Sequence, residues 1–307
     1  MFFHIKFNIY YHFILYIIMH HRKQSSIAGL RFFHNWIKRT IITDAASYLK
    51  KNYNINNIKL LDLAVGKGGD MQKWYDSGIY NVVGIDIDDN SINGKGGAKD
   101  RYQQFKRQIH KPVDYSFFVF DLSNPDNIAK IDNIIGDRKF NIISCQFAIH
   151  YFFRDPVALD TFMNIVSRYM DNNALFVGTT MNGLKLTDMF SKYGNTIERD
   201  LYSFKNLSDA NANANANANA YGNKYIVSLG KTNGNKNDKH YFSEKPSEEY
   251  IFDINELTRV ANKYGLIFAG SESFDIWYNN YHKKNEMSAS EKEFSFLNIS
   301  FAYKKSI

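Results

Sequence analysis

The 307-residue sequence has one cysteine, Cys145, and only four prolines. A single thiol excludes an intramolecular disulfide and a cysteine-only zinc site, and it fits a reducing compartment. Long apolar runs are missing too. The opening stretch MFFHIKFNIYYHFILYIIM is aromatic and aliphatic, but His4, Lys6, Asn8 and His12 interrupt it. Its unbroken part, 13–19, falls far short of the roughly 20 residues that cross a bilayer. The early basic region and small-residue cleavage site of a signal peptide are poor. Residues 1–21 are therefore expected to be an apolar extension, with Met19 as an alternative start, and no stable membrane association is expected.

What the chain does have is 44% hydrophobic residues, 16% aromatics and a net charge of +7. That is enough apolar material for one large domain or two small ones. The charge favours a polyanionic partner mildly, and a lysine-rich coding bias explains it equally well. Apolar runs at 58–64 (IKLLDLA), 82–87 (VVGIDI), 115–121 (YSFFVFD), 140–149 and 174–181 (ALFVGTTM) read as strands. Helical patterns at 34–53, 71–76, 91–108 and 156–170 separate or precede them. Nearly continuous apolar strands alternating with helices predict an α/β fold, a mostly parallel sheet covered on both faces. A last helix, 254–264, and two strands, 266–274 and 297–303, are expected to form a hairpin-like pair at one sheet edge. The repeat DANANANANANAY (209–221) lacks apolar periodicity and predicts a solvated loop, with 231–240 as a second polar tip.

The turn LLDLAVGKGGD (60–70) joins the first strand to a helix. Glycines there let the backbone approach a ligand closely. The spacing departs from the dinucleotide fingerprint and fits better the acidic-x-G-x-G-x-G loop of S-adenosylmethionine (SAM) enzymes, with Asp62 as the acid and Ala64 in place of the first glycine. Asp62 and Asp70 would repel a pyrophosphate and welcome a cationic sulfonium with its ammonium group. Asp86, ending the second strand, suits ribose hydroxyls, and Asp121, ending the third, suits an adenine amino group. A lone aspartate is usually a cap or turn residue; three acids at three neighbouring strand ends point to a nucleoside cleft.

The fourth strand runs into SCQFAIHYFF (144–153), where a turn residue would be ordinary. Here the sequence resembles the messenger RNA cap guanine-N7 methyltransferases, whose motif is close to S-C-Q-F-x-x-H-Y. G-K-G-G-D (66–70), N-W-x-K (35–38), G-T-T (178–180), Y-G-N-K-Y (221–225) and F-A-Y-K-K (301–305) are similar as well. The likeness spans roughly 30–305, and GGAKDRY (96–102) is closer to enzymes of large DNA viruses.

The resemblance implies a Rossmann-like class I methyltransferase fold: a mostly parallel seven-stranded sheet in a single domain over 22–307, with a substrate-side insertion at about 187–253. It implies that Lys38, Gly66, Asp70, Asp86 and Asp121 hold SAM, with Gln146 near its methionine end. Phe147, His150, Tyr151 and Glu249 would hold guanine, and Lys67 and Arg101 would meet the cap triphosphate. Glu248 is the alternative to Glu249. One departure is Asn298, where cellular members line the guanine pocket with a tyrosine; asparagine can pair but cannot stack. The expected partner is 5′-capped RNA (GpppN). The sequence has no K-x-D-G string for a nucleotidyl lysine, so other capping enzymes would supply the remaining steps. The expected location is nucleus or cytoplasm, or a viral factory or virion for a viral member. Guanine N7 carries no proton, so no catalytic base or metal is expected. His150, Tyr151 and Glu249 would act by positioning. A SAM enzyme for another RNA or small molecule, and a non-catalytic cap-binding relative, are the alternatives.

Overall fold

The computed structural model describes residues 26–208, 220–230, 246–282 and 287–305. The apolar stretch 1–21, all but the last two residues of the Ala-Asn repeat, and the tip 231–240 lie outside the described residues. Helix α1 (Ala28–Tyr53) buries Leu30, Phe33, Ile37, Ile41, Ala45 and Leu49, three or four positions apart, so one stripe faces inward. Asn54, with φ 55°, ends it in the left-handed conformation.

Strands β1 (Lys59–Leu63), β2 (Asn81–Asp86), β3 (Asp114–Val119), β4 (Phe140–Gln146) and β5 (Met170–Met181) follow. Between them lie α2 (Met71–Asp76), α3 (Asp89–Asn93), α4 (Ala98–Lys106), α5 (Ile128–Ile135) and α6 (Pro156–Tyr169). Next come α7 (Gly183–Tyr193) and four short strands, β6 (Thr196–Glu198), β7 (Tyr202–Asn206), β8 (Lys224–Leu229) and β9 (Ser247–Tyr250). The chain continues with α8 (Ile254–Lys263), β10 (Leu266–Ser273), α9 (Phe274–Asn279), α10 (Ala289–Ser295) and β11 (Asn298–Lys305).

The main sheet has seven strands in the order β10-β11-β5-β4-β1-β2-β3. The five from β5 to β3 are parallel, and β11 runs antiparallel to both β5 and β10. Leu61 and Ile143 belong to one buried cluster, Leu60 and Ile142 to the other. Adjacent residues thus serve opposite faces, which is why apolar residues fall at consecutive positions in these strands. Strand β1 has β2 on one side and β4 on the other, so the chain's winding reverses there. In such sheets the crevice at the carboxyl ends beside the reversal is the natural ligand site.

Three expectations need adjustment. β5 starts at Met170, not at 174; its register on β4 shifts between Phe140 and Ile142, and Asn173 at φ 61° absorbs the extra residues. β4 stops at Gln146, three residues early, because Phe147 takes φ 57° and turns the chain into a 3₁₀ helix, Ile149–Arg154. β10 and β11 pair as expected, but two helices join them and β11 lies inside the sheet.

The second sheet is antiparallel, in the order β6-β7-β8-β9. Its inner face comes from strict alternation: on β8, Tyr225, Val227 and Leu229 are buried and their neighbours are not. These side chains pack on Leu186 and Phe190 of α7 and Phe294 of α10. The two sheets also meet through backbone. A Cβ on Gly183 would sit 1.9 Å from the Phe252 carbonyl oxygen, so only glycine lets α7 start there. Gly183→Ala should therefore destabilise the protein by about 3 kcal/mol, since the clash is with backbone rather than a mobile side chain. A thermal melt that matched the wild type would contradict this packing.

Candidate functional site

The turn after β1 is built from left-handed residues. Gly66 has φ 53° and Gly68 φ 68°. A Cβ on Gly68 would lie 2.3 Å from the terminal methyl of Met71, which can swing aside, so the positive φ is what calls for glycine there. Ala64 has φ 92°. An alanine at this glycine position therefore carries backbone strain on the order of 1–2 kcal/mol. The turn places the Gly66 N–H 2.7 Å from Asp86 Oδ2, while the Asp88 N–H donates to Asp86 Oδ1 at 3.0 Å.

Asp86 and Gly66 line a cleft of about 580 Å³ at the carboxyl edge of the sheet. Asp121, Gln146, Phe147 and Tyr151 line it too, so six of the residues singled out in the sequence share one cavity. Asp121 Oδ1 accepts from the Ser123 N–H at 2.8 Å and its hydroxyl at 2.6 Å. Gln146 Oε1 accepts from Thr179 on β5 at 3.0 Å, and its amide nitrogen donates to Ser144 at 3.2 Å. Phe147 stacks on His34 of α1, 5.1 Å between centroids at 13°.

Next to this cleft is an ionic cluster. Lys38 Nζ lies 2.8 Å from Asp70 Oδ1 and 3.0 Å from Oδ2, and Lys73 Nζ lies 2.6 Å from Oδ1. Burial alone would raise the Asp70 pKa, but the two lysines override it and hold the carboxyl far below its usual range. Asp70 is therefore already compensated, which weakens the expectation that it waits for a cation. Asp62 differs: it is 1% exposed and its Oδ1 has no hydrogen-bond partner. Burial first, then the Asp70 charge, push its pKa well above the ordinary value. A donor or cation reaching Asp62 would find an acceptor whose lost hydration nothing repays.

On the other side stand His150 and Glu249, both buried. His150 Nε2 is 3.6 Å from Glu249 Oε2, and Nδ1 is 3.4 Å from Thr180 Oγ1. Burial lowers the His150 pKa and outweighs the opposing Glu249 charge, so the ring is neutral at ordinary pH. Tyr151 packs on His150 at 4.2 Å and reaches Ser247 through its hydroxyl at 3.2 Å. Glu248 points outward to Lys224, 3.0 Å away, which favours Glu249 of the two candidates.

The remaining candidates lie apart. Lys67 is exposed, and Arg101 donates to the Lys67 carbonyl at 3.2 Å, so the two share a rim. Asn298 does not line the cleft: its amide nitrogen donates to the carbonyls of Phe294 and Ser295, closing α10. Sequence reasoning missed Lys73, Arg154 and Tyr225. Lys73, one helical turn after Asp70, was the detectable one. Arg154 lines the cleft and donates to Ser123 at 3.4 Å. No cluster of three or more metal-ligating side chains occurs among the described residues.

The family model for the mRNA (guanine-N(7))-methyltransferase domain matches residues 9–298. The chain belongs to this family. Among curated members, the mRNA cap guanine-N(7) methyltransferase of Caenorhabditis elegans is 34% identical over 171 residues, 55% of this chain and 43% of the relative. That of Drosophila melanogaster is 24% identical over 264 residues, 84% of this chain and 57% of the relative. A probable mRNA-capping enzyme of Acanthamoeba polyphaga mimivirus is 29% identical, over 53% of this chain and 14% of the relative. The chain thus spans well under two thirds of these relatives. Their identities do not favour a viral branch, contrary to the hint in 96–102. Among solved structures, a SAM-dependent methyltransferase from Clostridium acetobutylicum matches with TM-score 0.51 at 16% identity, over 85% of this chain and 91% of that one. The CcbJ methyltransferase from Streptomyces caelestis matches with TM-score 0.50 at 13% identity, over 87% and 90%. These likenesses establish the Rossmann-like methyltransferase fold of the family. No helix among the described residues is long and apolar enough to cross a membrane.

The stranded Asp62 carboxylate makes a pH prediction. Its folded pKa is raised, so its cost is fully present above that shifted value and vanishes below about pH 4, where the unfolded group also holds its proton. Asp62→Asn should raise the melting temperature of the ligand-free protein near neutral pH, by roughly 3 °C. The gain should shrink toward about pH 4. An equal gain at both pH values would mean the carboxylate charge is not the cost.

Proposed function

We propose that this protein transfers a methyl group from SAM to N7 of the guanine cap of mRNA, an mRNA (guanine-N7-)-methyltransferase activity. One observation carries the reading: Gly66, Asp86, Asp121 and Gln146 share a single cleft with Phe147 and Tyr151, and the buried His150–Glu249 pair lies against it. Bound SAM supplies an electrophilic methyl on a sulfonium. The donor set fits it: Asp86 and Asp121 would hold the nucleoside, Gln146 would face the methionine end, and Lys38 would meet its carboxylate. Asp62, with a free oxygen, suits its ammonium group, whereas Asp70 is held by Lys38 and Lys73. Capped RNA would enter from the rim where Lys67 and Arg101 offset phosphate charge, which makes binding salt-sensitive.

Guanine N7 presents a lone pair and no proton, so the chain need not remove one. Its residues act by holding the base in line with the donor and excluding water. Glu249 would accept from guanine N1–H and the exocyclic amine, and would stabilise the positive charge that grows on the ring. Neutral His150 adds a polar contact without a competing cation. Phe147 and Tyr151 supply ring faces, and base stacking of this kind contributes about 1–3 kcal/mol.

A radiolabelled methyl-transfer assay, with digestion to map the methylated position, tests the reading. Wild-type protein should label GpppN-capped RNA at guanine N7 and leave uncapped RNA unlabelled. His150→Ala and Glu249→Ala should each lose at least about 100-fold in kcat/KM while SAM affinity stays within a few-fold. Labelling of uncapped RNA, or full activity in both variants, would overturn it.

A further inference from the structure

One of the segments that tie the second sheet to the main sheet is YGNKY (221–225). Each of its residues grips a neighbour. Tyr221 stacks on Phe153, 6.1 Å at 25°, and its hydroxyl donates to Glu256. The Gly222 N–H donates to the Phe153 carbonyl at 3.0 Å, which ties the segment to the 3₁₀ helix bearing His150 and Tyr151. The Asn223 carbonyl accepts from the Ile251 N–H at 2.8 Å, just beyond β9. Lys224 pairs with Glu248 at 3.0 Å. Tyr225 stands directly opposite Glu249 in the β8–β9 register, and its hydroxyl donates to Glu249 Oε2 at 2.6 Å.

That last bond differs from the others because both partners are buried, Tyr225 at 1% and Glu249 at 3% exposure. A buried carboxylate needs donors to offset lost hydration and to fix its plane. The separation is that of a charge-assisted O–H···O⁻ bond. His150 Nε2, at 3.6 Å from the same oxygen, is too far to serve. Among the described residues Tyr225 gives the one hydrogen bond this carboxylate receives. It occupies one of about four lone-pair sites and leaves the rest open to a ligand.

We infer that Tyr225 is a positioning residue: its hydroxyl sets the orientation of the Glu249 carboxylate so that it can receive the two donors of a guanine edge. This rests on the guanine-binding reading of Glu249. Tyr225 touches neither substrate nor cofactor in this account. Its ring also packs in the core beside Phe204, 6.1 Å away at 60°, so a purely structural role must be separated from positioning.

The test is Tyr225→Phe, which keeps the ring and the strand alternation, with Glu249→Gln and the double variant, assayed on capped RNA. Tyr225→Phe should weaken kcat/KM for capped RNA about 10- to 100-fold, the loss expected for a hydrogen bond to a charged group. SAM affinity by calorimetry should be unchanged. In the Glu249→Gln background the same substitution should cost little more, because the carboxylate it positions is gone. An equal loss in both backgrounds, a parallel loss of SAM affinity, or no effect of Tyr225→Phe would each overturn the inference while leaving the cap reading intact. Wild-type protein inactive on capped RNA would overturn both, and that result precedes any variant.

Discussion

The attachment of the second sheet to the first is the constraint on which the site depends. His150 and Tyr151 come from the 3₁₀ helix after β4, whereas Glu249 comes from β9 of the other sheet. Their 3.6 Å approach exists only if the two sheets keep a fixed relation. Two contacts help to fix it: the Gly222 N–H on the Phe153 carbonyl and the close passage of Gly183 under Phe252. Both are made by backbone, so they resist drift better than exposed side-chain pairs, whose contribution is small. Apolar packing of Tyr225, Phe204 and Phe294 then fills the space between.

The cofactor side follows a different logic. Asp70 is neutralised by two lysines within hydrogen-bond distance, and it serves as a fixed anion around which α1 and α2 dock. Asp62 is left with an unpaired oxygen in a fully buried setting. Ala64 adds a residue in the left-handed region, where glycine would be relaxed. Both features cost folding energy at the strand end where the crevice opens. Strain and unpaid desolvation of this kind are tolerated where a ligand relieves them, and they lower the stability of the empty protein.

Much of the main sheet could be read directly from the chain. Strands covered on both faces are apolar at adjacent positions, and the runs Leu60-Leu61 in β1, Val82-Val83 in β2 and Ile142-Ile143 in β4 show it. The acids that follow such runs, Asp86 and Asp121, fall at the carboxyl edge and reach the same cleft. The end of β4 was harder. Nothing about phenylalanine announces φ 57°, and the turn at Phe147 is imposed by its hydrogen bond to the Thr179 carbonyl and its stacking on His34. Tyr225 and Glu249 were invisible as a pair because 24 residues separate them in sequence, and only cross-strand register brings them together. The hold of the Asn298 amide nitrogen on the end of α10 was equally hidden, because it depends on the turn between α10 and β11.

Under the proposed function, the protonation states of the buried groups matter more than any single contact. Methylation at N7 leaves the base with a positive charge, so nearby cations would oppose the reaction. Burial keeps His150 neutral despite the adjacent Glu249. The lysines closest to the cofactor side, Lys38 and Lys73, are both engaged by Asp70. Lys67 and Arg101 stand at the exposed rim, where solvent screens them and phosphates are their natural partners. Negative charge is thus concentrated at Glu249, against the base, while positive charge is confined to the periphery or already paired. A group of this kind needs no proton transfer to be effective. It has to be rigid and correctly signed before the base arrives, and the two-sheet architecture supplies both conditions.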